Sequence, residues 1–385
     1  MAALSVFIIA GEPSGDRLGA AVMVGLKAER PDVVFDGVGG PLMQAEGLVS
    51  RFPMQELSVM GIAEILPKYR ALKRRIRETA DQVVTGVPDV MITIDSPDFS
   101  LRVAKLVKAG SNIRTVHYVA PSVWAWRAGR AAKMARVIDH VLALLPFEPP
   151  LMQDAGMACD FVGHPVVGEP LASDAEIAAF RRDHLEDAPT LLVLPGSRRS
   201  EVGRLSETFG AAVSQFAQDV PGLRVVVPTL AHLYDDVSRM VGEWDVESFV
   251  FSSDSPEGMA QKRSAFATAD MALAASGTVS LELAANATPM VIAYDMNRIS
   301  RAIIRRMLRV DTVTLVNLVS ETRVVPEFIF GDCQADKIAG GLGDVWADRH
   351  AQDAAMDLTM ERLGRDGLPS GVLAARAILG RLSDE

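Results

Sequence analysis

The sequence contains few cysteines, few aromatic residues and no excess of positive charge. Two cysteines in 385 residues, Cys159 and Cys333, form no CxxC pair. This excludes a disulfide framework or a thiolate metal site and suits a reducing cytoplasm. The six histidines show neither HxxxH nor HExxH spacing, so we expect no metal site. A net charge of −10 argues against a nucleic-acid partner, because nucleic-acid-binding surfaces are basic.

Long apolar runs are also missing. No run approaches the ~20 residues of a membrane-spanning helix. The start, MAALSVFIIAGE, lacks the basic segment of a signal peptide, so we expect a soluble or peripheral protein. Hydrophobic residues make up 49% of the chain and aromatic residues only 6%, so its cores must be mainly aliphatic. A length of 385 residues predicts two domains rather than one.

Short apolar runs alternate with amphipathic segments along residues 1–165. Such runs are typical of parallel strands buried on both faces, and strand–loop–helix repeats predict a doubly wound α/β domain. Asp36 lies roughly where the ribose-binding acid of a nicotinamide enzyme would be, although the GxGxxG fingerprint is absent. The first helix is predicted at Leu18–Lys27. The predicted strands are Leu4–Ala10, Val33–Phe35, Val90–Ile94, Thr115–Val119 and Val141–Leu145.

The same alternation restarts in the second half of the chain. Residues 166–186 are predicted to be a hinge, with a short helix that begins at the capping box Ser173–Glu176. Residues 187–350 are predicted to form a second α/β domain, in which Thr312–Leu318 is an extended segment. Helices within 351–385 are predicted to cross back to the first domain.

Two turns of the second half have the pattern of an anion site. The turn at 276–278 lies between a buried strand and a helix, where free amides and the helix dipole attract negative charge. Glu282, about one helical turn further on, could receive two ribose hydroxyls. The turn at 195–202 is similar, and Arg198 supplies a forked charge suited to a diphosphate. An ordinary βαβ crossover gives the same pattern, so this alternative stays open.

Polar and aromatic side chains follow two predicted strands of the first half. Asp95 and Asp98 come after Val90–Ile94, at the sheet edge where α/β proteins place their chemistry. One of the two could instead cap the following helix. Trp124 and Trp126 follow Thr115–Val119, and they could pack against a sugar or an acyl chain, or form part of a core.

Two segments combine an apolar face with a basic one. In Met54–Thr79 an apolar half precedes six basic residues, and Asn297–Val310 carries five arginines and no acid. Basic amphipathic segments are typical of contact with an anionic membrane surface or a lipid substrate. The alternative is a helix that packs on the core and has a basic outer face.

Five motifs together resemble the lipid-A-disaccharide synthase family along essentially the whole chain. They are GEPSGD at 11–16, IDSPDF at 94–99, HYVAPSVWAW at 117–126, LPGSR at 194–198 and ASGT at 275–278. The resemblance implies two Rossmann-like doubly wound domains of the GT-B glycosyltransferase type, facing across a cleft. It also implies transfer from UDP-2,3-diacylglucosamine to 2,3-diacylglucosamine 1-phosphate (lipid X), which inverts the anomeric centre, forms a β-1,6 link and releases UDP.

The resemblance also implies roles for individual residues. Asp98 would be the catalytic base, no metal or cofactor would be needed, and the enzyme would work as a peripheral protein, with a homodimer as one assembly, on the cytoplasmic face of the inner membrane. The nucleotide-binding residues would be Ser197, Arg198, Ser276, Gly277, Thr278, Glu282 and Asn317, and the acceptor-binding residues Glu12, Ser14, Asp16 and Trp124. Two positions depart from the family pattern: Val316 replaces a proline, and Asp295 replaces a basic residue.

Two other functions remain as alternatives. A UDP-sugar 2-epimerase of GT-B shape is also a two-domain nucleotide-sugar enzyme, but it gives no reason for the basic amphipathic segments. A peripheral membrane protein with a non-catalytic nucleotide site is the alternative without an enzyme activity.

Overall fold

The computed structural model describes residues 3–57, 62–125, 129–297, 301, 304, 306–308 and 310–383. The chain divides into two compact units. Unit 1 comprises Met1–Pro165 and Asp366–Glu385, and unit 2 comprises Val166–Arg365. Among the helices in the described part of the chain, none is both long and apolar enough to span a membrane.

Unit 1 is built on one parallel sheet. Its strands are β1 (Ser5–Ala10), β2 (Val34–Val38), β3 (Val90–Ile94), β4 (Arg114–Tyr118), β5 (His140–Ala143) and β6 (Ala158–Phe161). Its helices are α1 (Pro13–Glu29), α2 (Pro41–Ala45), α3 (Ile62–Gly86), α4 (Pro97–Gly110), α5 (Gly129–Met134), α6 (Glu148–Gln153) and, near the C-terminus, α15 (Ser370–Ser383). The strand order is β2-β1-β3-β4-β5-β6. The order reverses between β1 and β3, which makes this pair the topological switch point of the sheet.

Both faces of this sheet are covered. Along β1, Ile8 lies in one buried cluster together with Ile92, whereas Phe7 and Ile9 lie in the cluster on the opposite face. Since neighbouring residues of a strand point to opposite faces, a strand buried on both sides is apolar at nearly every position. This is the physical basis of the continuous apolar runs in the sequence.

Unit 2 repeats the architecture. Its strands are β7 (Thr190–Leu194), β8 (Arg224–Thr229), β9 (Glu247–Ser252), β10 (Met271–Ala274), β11 (Met290–Tyr294) and β12 (Glu327–Ile329). Its helices are α7 (Asp174–Phe180), α8 (Arg199–Asp219), α9 (Tyr234–Val241), α10 (Pro256–Thr268), α11 (Val279–Ala285), α12 (Leu315–Ser320), α13 (Ala335–Ala347) and α14 (His350–Arg362). The strands are parallel in the order β12-β11-β10-β7-β8-β9, so the switch point lies between β7 and β10.

The last helix of the chain belongs to unit 1. Helix α15 packs on α1, and the contact is close because a Cβ at Gly25 would lie 2.3 Å from the carbonyl oxygen of Gly371. Arg376 pairs with Glu29 at 2.7 Å, and Arg381 pairs with Asp160 of β6 at 3.2 Å. Helix α14, which the sequence analysis grouped with this helix, instead packs on α11 and α12 within unit 2.

Two local predictions differ from the structure. Helix α1 begins at Pro13, five residues before the predicted start, because proline suits the first position of a helix. Helix α4 likewise begins at Pro97, so Asp98 lies in its first turn. The extended segment predicted at Thr312–Leu318 is wrong from Leu315 onward, where α12 begins. Its branched residues resemble a strand, but Val316 and Val319 are buried in the packing of a helix.

Part of the predicted basic segments and of the tryptophan loop lies outside the described residues. This holds for residues 58–61, for Trp126 and Arg127, and for Arg298, Ile299, Ala302, Ile303, Arg305 and Arg309. In the second half of α3, Ile76 is buried, whereas Arg70, Lys73 and Arg77 are exposed. This half of the helix therefore has the amphipathic character that the sequence predicts.

Candidate functional site

The switch point of unit 2 brings the two predicted anion turns side by side. Strands β7 and β10 are neighbours, with Leu194 opposite Ala274. The amide of Ala275 donates to the carbonyl of Leu194 at 2.8 Å, so the loops 195–198 and 276–278 leave the sheet at the same place. Ligands of open α/β sheets bind outside the carboxyl ends of the strands at this point. We call these two loops the donor loops.

The first donor loop is organised by a carboxylate that the sequence analysis did not consider. One oxygen of Glu201 accepts from the amide of Ser197 at 3.2 Å, and the other accepts from the Arg198 guanidinium at 2.7 Å. Gly196 has φ +116°, and a Cβ added there would lie 2.8 Å from Glu201. A residue with a side chain would therefore displace the carboxylate. Arg198 itself is 66% exposed and is accessible to a ligand.

The second donor loop is open. A Cβ at Gly277 would meet no atom within 4 Å, and Gly277 and Thr278 are both exposed. Ser276 is half-buried at the loop's start. Helix α11 follows, and Glu282 in its first turn is paired with Lys262 of α10 at 2.6 Å. Sequence reasoning missed Lys262, since twenty residues separate it from Glu282 and no local pattern links the two.

Other charged and polar groups lie near the end of β11. Burial raises the pKa of Tyr294, and the Glu201 carboxylate adds to this effect. Asp295, one of the two departures from the family pattern, pairs with Arg301 at 2.6 Å. The acidic side chain at this position is therefore neutralised within unit 2.

Asn317 has a structural role in unit 2. Its side chain is buried, its oxygen accepts from the amide of Val325 at 3.0 Å, and its nitrogen donates to the carbonyl of Val325 and to Thr312. The side chain therefore joins α12 to the segment that leads into β12. Both ends of its side-chain amide are engaged by these bonds, and its contact with a nucleotide stays a prediction.

The switch point of unit 1 contains two of the predicted motifs. A Cβ added at Gly11, after β1, would lie 2.6 Å from Oγ of Ser96, after β3, so the two loops touch. Asp95 and Ser96 have φ values of +47° and +44°, a conformation that side chains rarely adopt. Strain of this kind concentrates at functional sites. Asp95 is half-buried and its pKa is raised by burial, whereas Asp98 is exposed in the first turn of α4.

The motif at 11–16 divides into two parts. Glu12 is half-buried and Ser14 is exposed, near the same sheet edge. Asp16 is buried, and its carboxylate accepts from the amides of Gly40, Leu42 and Met43 at 2.8–3.0 Å. These amides belong to the start of α2, so Asp16 stabilises the beginning of that helix. The acceptor contact stays a prediction for Glu12 and Ser14, whereas the Asp16 carboxylate is already engaged by these three amides.

Asp36 is also committed within unit 1. Its carboxylate accepts from Nε of Arg51 at 2.7 Å, and this hydrogen bond lowers the pKa of Asp36. The ribose-binding role of a nicotinamide enzyme thus loses its candidate residue.

Trp124 is held by its neighbours after β4. Its ring meets that of Phe147 edge-on, with 5.6 Å between the centroids. The next residue, Glu148, is buried and accepts from the amide of Leu145 at 3.0 Å. Burial raises the pKa of Glu148 to about 7 from its ordinary value of 4.5. The residue that packs against Trp124 is therefore followed directly by a buried carboxyl group.

We expect Glu148 to make the stability of unit 1 depend on pH. Its folded pKa of about 7 exceeds the ordinary value of 4.5, so the folded state binds the proton more tightly. Its contribution is complete below pH 4.5 and is lost as the pH rises through about 7. Glu148→Gln stays neutral and should lack this loss, which is on the order of 1–3 kcal/mol. The test is to measure the free energy of unfolding of the wild type and of Glu148→Gln below pH 4.5 and above pH 7. An equal dependence on pH in the two proteins would contradict the prediction.

No group of three or more histidine, cysteine, aspartate or glutamate side chains with metal-binding geometry occurs among the residues that the structure describes.

Similarity to known proteins covers nearly the whole chain. The family model described as Lipid-A-disaccharide synthetase matches residues 6–365. The lipid-A-disaccharide synthase of Ruegeria pomeroyi is 64% identical over 386 residues, which cover 98% of this chain and 96% of the relative.

Solved structures share the fold at low sequence identity. A putative UDP-N-acetylglucosamine 2-epimerase from Listeria monocytogenes has a TM-score of 0.63 at 11% identity, covering 99% of this chain and 96% of that chain. A glycosyltransferase from Rickettsia africae has a TM-score of 0.58 at 10% identity, covering 99% of this chain and 98% of that chain. This likeness confirms the predicted GT-B type of fold, which occurs with more than one chemistry. The sequence match decides between them: this chain belongs to the lipid-A-disaccharide synthetase family, whose members are glycosyltransferases.

Proposed function

We propose that this protein joins UDP-2,3-diacylglucosamine to 2,3-diacylglucosamine 1-phosphate (lipid X), giving the β-1,6-linked disaccharide 1-phosphate and UDP. The family match supports the reaction. The observation that carries it in the structure is the meeting of both donor loops at the switch point of unit 2.

The donor loops would hold the UDP part of the donor. Amides at the starts of α8 and α11 and the forked charge of Arg198 suit a diphosphate, and they would stabilise the negative charge that develops on it as it leaves. Glu201 now occupies the Ser197 amide and Arg198. A diphosphate that binds here must take over these two donors. Glu282 would accept hydrogen bonds from the ribose.

Unit 1 would bind the acceptor. The primary hydroxyl of lipid X attacks the anomeric carbon of the donor sugar from the face opposite to UDP, so the configuration inverts. As the new C–O bond forms, the bond to UDP breaks and the hydroxyl proton passes to the Asp98 carboxylate. Asp98 is exposed at the switch point and Asp95 is half-buried beside it. We therefore assign the base to Asp98 and the shaping of the loop to Asp95.

The reaction is tested by incubating the protein with UDP-2,3-diacylglucosamine and lipid X and analysing the lipid product by mass spectrometry. The expected result is a tetraacylated disaccharide 1-phosphate and one equivalent of UDP. Appearance of an epimeric UDP-sugar without a disaccharide would instead support the epimerase alternative, to which the fold alone also corresponds.

We also propose that the protein works on the inner face of the inner membrane as a peripheral protein. Both substrates carry acyl chains, and the exposed side of α3 presents Arg70, Lys73 and Arg77. Basic residues near an anionic surface contribute about 1 kcal/mol each.

The triple variant Arg70→Ser, Lys73→Ser, Arg77→Ser should therefore reduce sedimentation with anionic liposomes by at least tenfold, with an unchanged melting temperature. Arg75→Ser is the matched control, because Arg75 pairs with Glu56 at 2.8 Å. If the triple variant binds liposomes as well as the wild type does, this face of α3 does not contact the membrane.

A further inference from the structure

An ion pair lies beside the second donor loop. The ammonium of Lys262 on α10 is 2.6 Å from Oε2 of Glu282 on α11, and both side chains are 33% exposed. The same ammonium lies 5.1 Å from the centre of the Phe266 ring. Two independent contacts therefore define where the end of this long and flexible side chain lies.

The pair leaves one side of the carboxylate available. Within the part of the chain that the structure describes, Oε2 of Glu282 accepts from Lys262, and no protein group donates to Oε1. A half-exposed pair of this kind adds little to folding. Its effect is local: the ammonium keeps the carboxylate in one orientation with Oε1 free for a ligand.

The position of the pair indicates which part of a nucleotide it would meet. Glu282 is the fourth helical residue after Thr278, so it lies about 6 Å along the axis from the amides that suit a diphosphate. In dinucleotide-binding folds an acidic side chain, about 20 residues after the phosphate-binding turn, receives a ribose hydroxyl, and Glu282 offers the same chemistry from the helix itself. The fixed carboxylate is therefore better placed for the sugar than for the phosphates.

We propose that Lys262 is a positioning residue that orients Glu282 toward the ribose 2′-hydroxyl, and that this pair makes the protein prefer UDP to 2′-deoxy-UDP. The proposal rests on the donor site proposed above. Lys262 acts on the nucleotide through Glu282, whose carboxylate accepts a charge-assisted hydrogen bond from the ribose hydroxyl.

The test is a calorimetric comparison of UDP and 2′-deoxy-UDP binding. The wild type should bind UDP about tenfold or more tightly than 2′-deoxy-UDP, as for loss of a hydrogen bond to a charged group. Lys262→Met should weaken UDP binding about fivefold to tenfold and leave 2′-deoxy-UDP binding unchanged, so the preference collapses. Lys262→Arg should restore much of the preference, since it keeps the charge.

Arg263→Met is the matched control. Arg263 is the next residue on α10, is similarly exposed at 35%, and pairs with Glu176 at 3.6 Å. It should leave the ratio of the two affinities unchanged, and melting temperatures show that each variant is folded.

Four outcomes would overturn the proposal. In Lys262→Met, equal weakening of both nucleotides would mean that Lys262 acts on the diphosphate by its charge, and unchanged binding of both nucleotides would mean that Lys262 does not act on the nucleotide. A wild type without preference would refute the inference while leaving the transfer reaction intact. A wild type that does not bind UDP would refute the donor site itself.

Discussion

Asp98→Asn is expected to abolish sugar transfer while UDP binding and the melting temperature stay unchanged. The side chain is exposed in the first turn of α4, so an amide of the same shape fits without a change in packing. An amide cannot take the hydroxyl proton, and the loss of a general base lowers the rate by ~10²–10⁴-fold. Product formation measured by mass spectrometry, with UDP affinity measured by calorimetry, separates chemistry from binding.

Asp95→Asn is the matched control for this prediction. Asn tolerates the left-handed conformation that Asp95 adopts at φ +47°, so the loop should keep its shape. We expect this variant to retain measurable turnover. If Asp98→Asn stays active and Asp95→Asn does not, the base is Asp95, whose pKa burial raises.

Arg198→Ala is expected to weaken UDP binding by about 1–3 kcal/mol, as for loss of a hydrogen bond to a charged group. The guanidinium is exposed beside the first donor loop and makes a single ion pair with Glu201 in the described structure. Truncation removes the forked cation and leaves the Glu201 carboxylate next to the diphosphate. Both changes disfavour an anion at this place.

Arg199→Ala is the control for the arginine. Arg199 is the neighbouring residue and is more exposed, at 75%, but it pairs with Asp236 at 2.9 Å. Its removal should change UDP affinity by less than about 0.5 kcal/mol, the range of ordinary surface substitutions. Equal effects of the two variants would show that general positive charge, rather than Arg198, holds the nucleotide.

The order of strands and helices could be predicted well, and the reason is visible in β1. Every residue of that strand from Val6 to Ala10 is buried, because helices cover both faces of the sheet. The run is therefore apolar without a break, and β3 and β7 are buried in the same way although each contains one threonine. A short turn with small residues then ends each strand, which is enough to place the donor loops in the sequence.

Helix starts and long-range contacts were harder to predict. Pro13 begins α1, whose start was predicted five residues later, at Leu18. In its motif Asp16 looks like a ligand-binding residue. Its carboxylate instead accepts hydrogen bonds from three amides at the start of a helix that begins 25 residues further on. No local pattern contains this information, because the partners come together only when the sheet forms.

The sequence by itself determined the doubly wound architecture and the family, since burial on both faces of a sheet and short polar turns leave their mark on consecutive residues. Only the tertiary structure decided which polar side chains remain available for substrates. Asp16 accepts hydrogen bonds from backbone amides and Asn317 is bonded to Val325 and Thr312, whereas Glu282 pairs with Lys262 of another helix. Hydrogen bonds and ion pairs join residues by distance in space, which the order of residues along the chain does not specify.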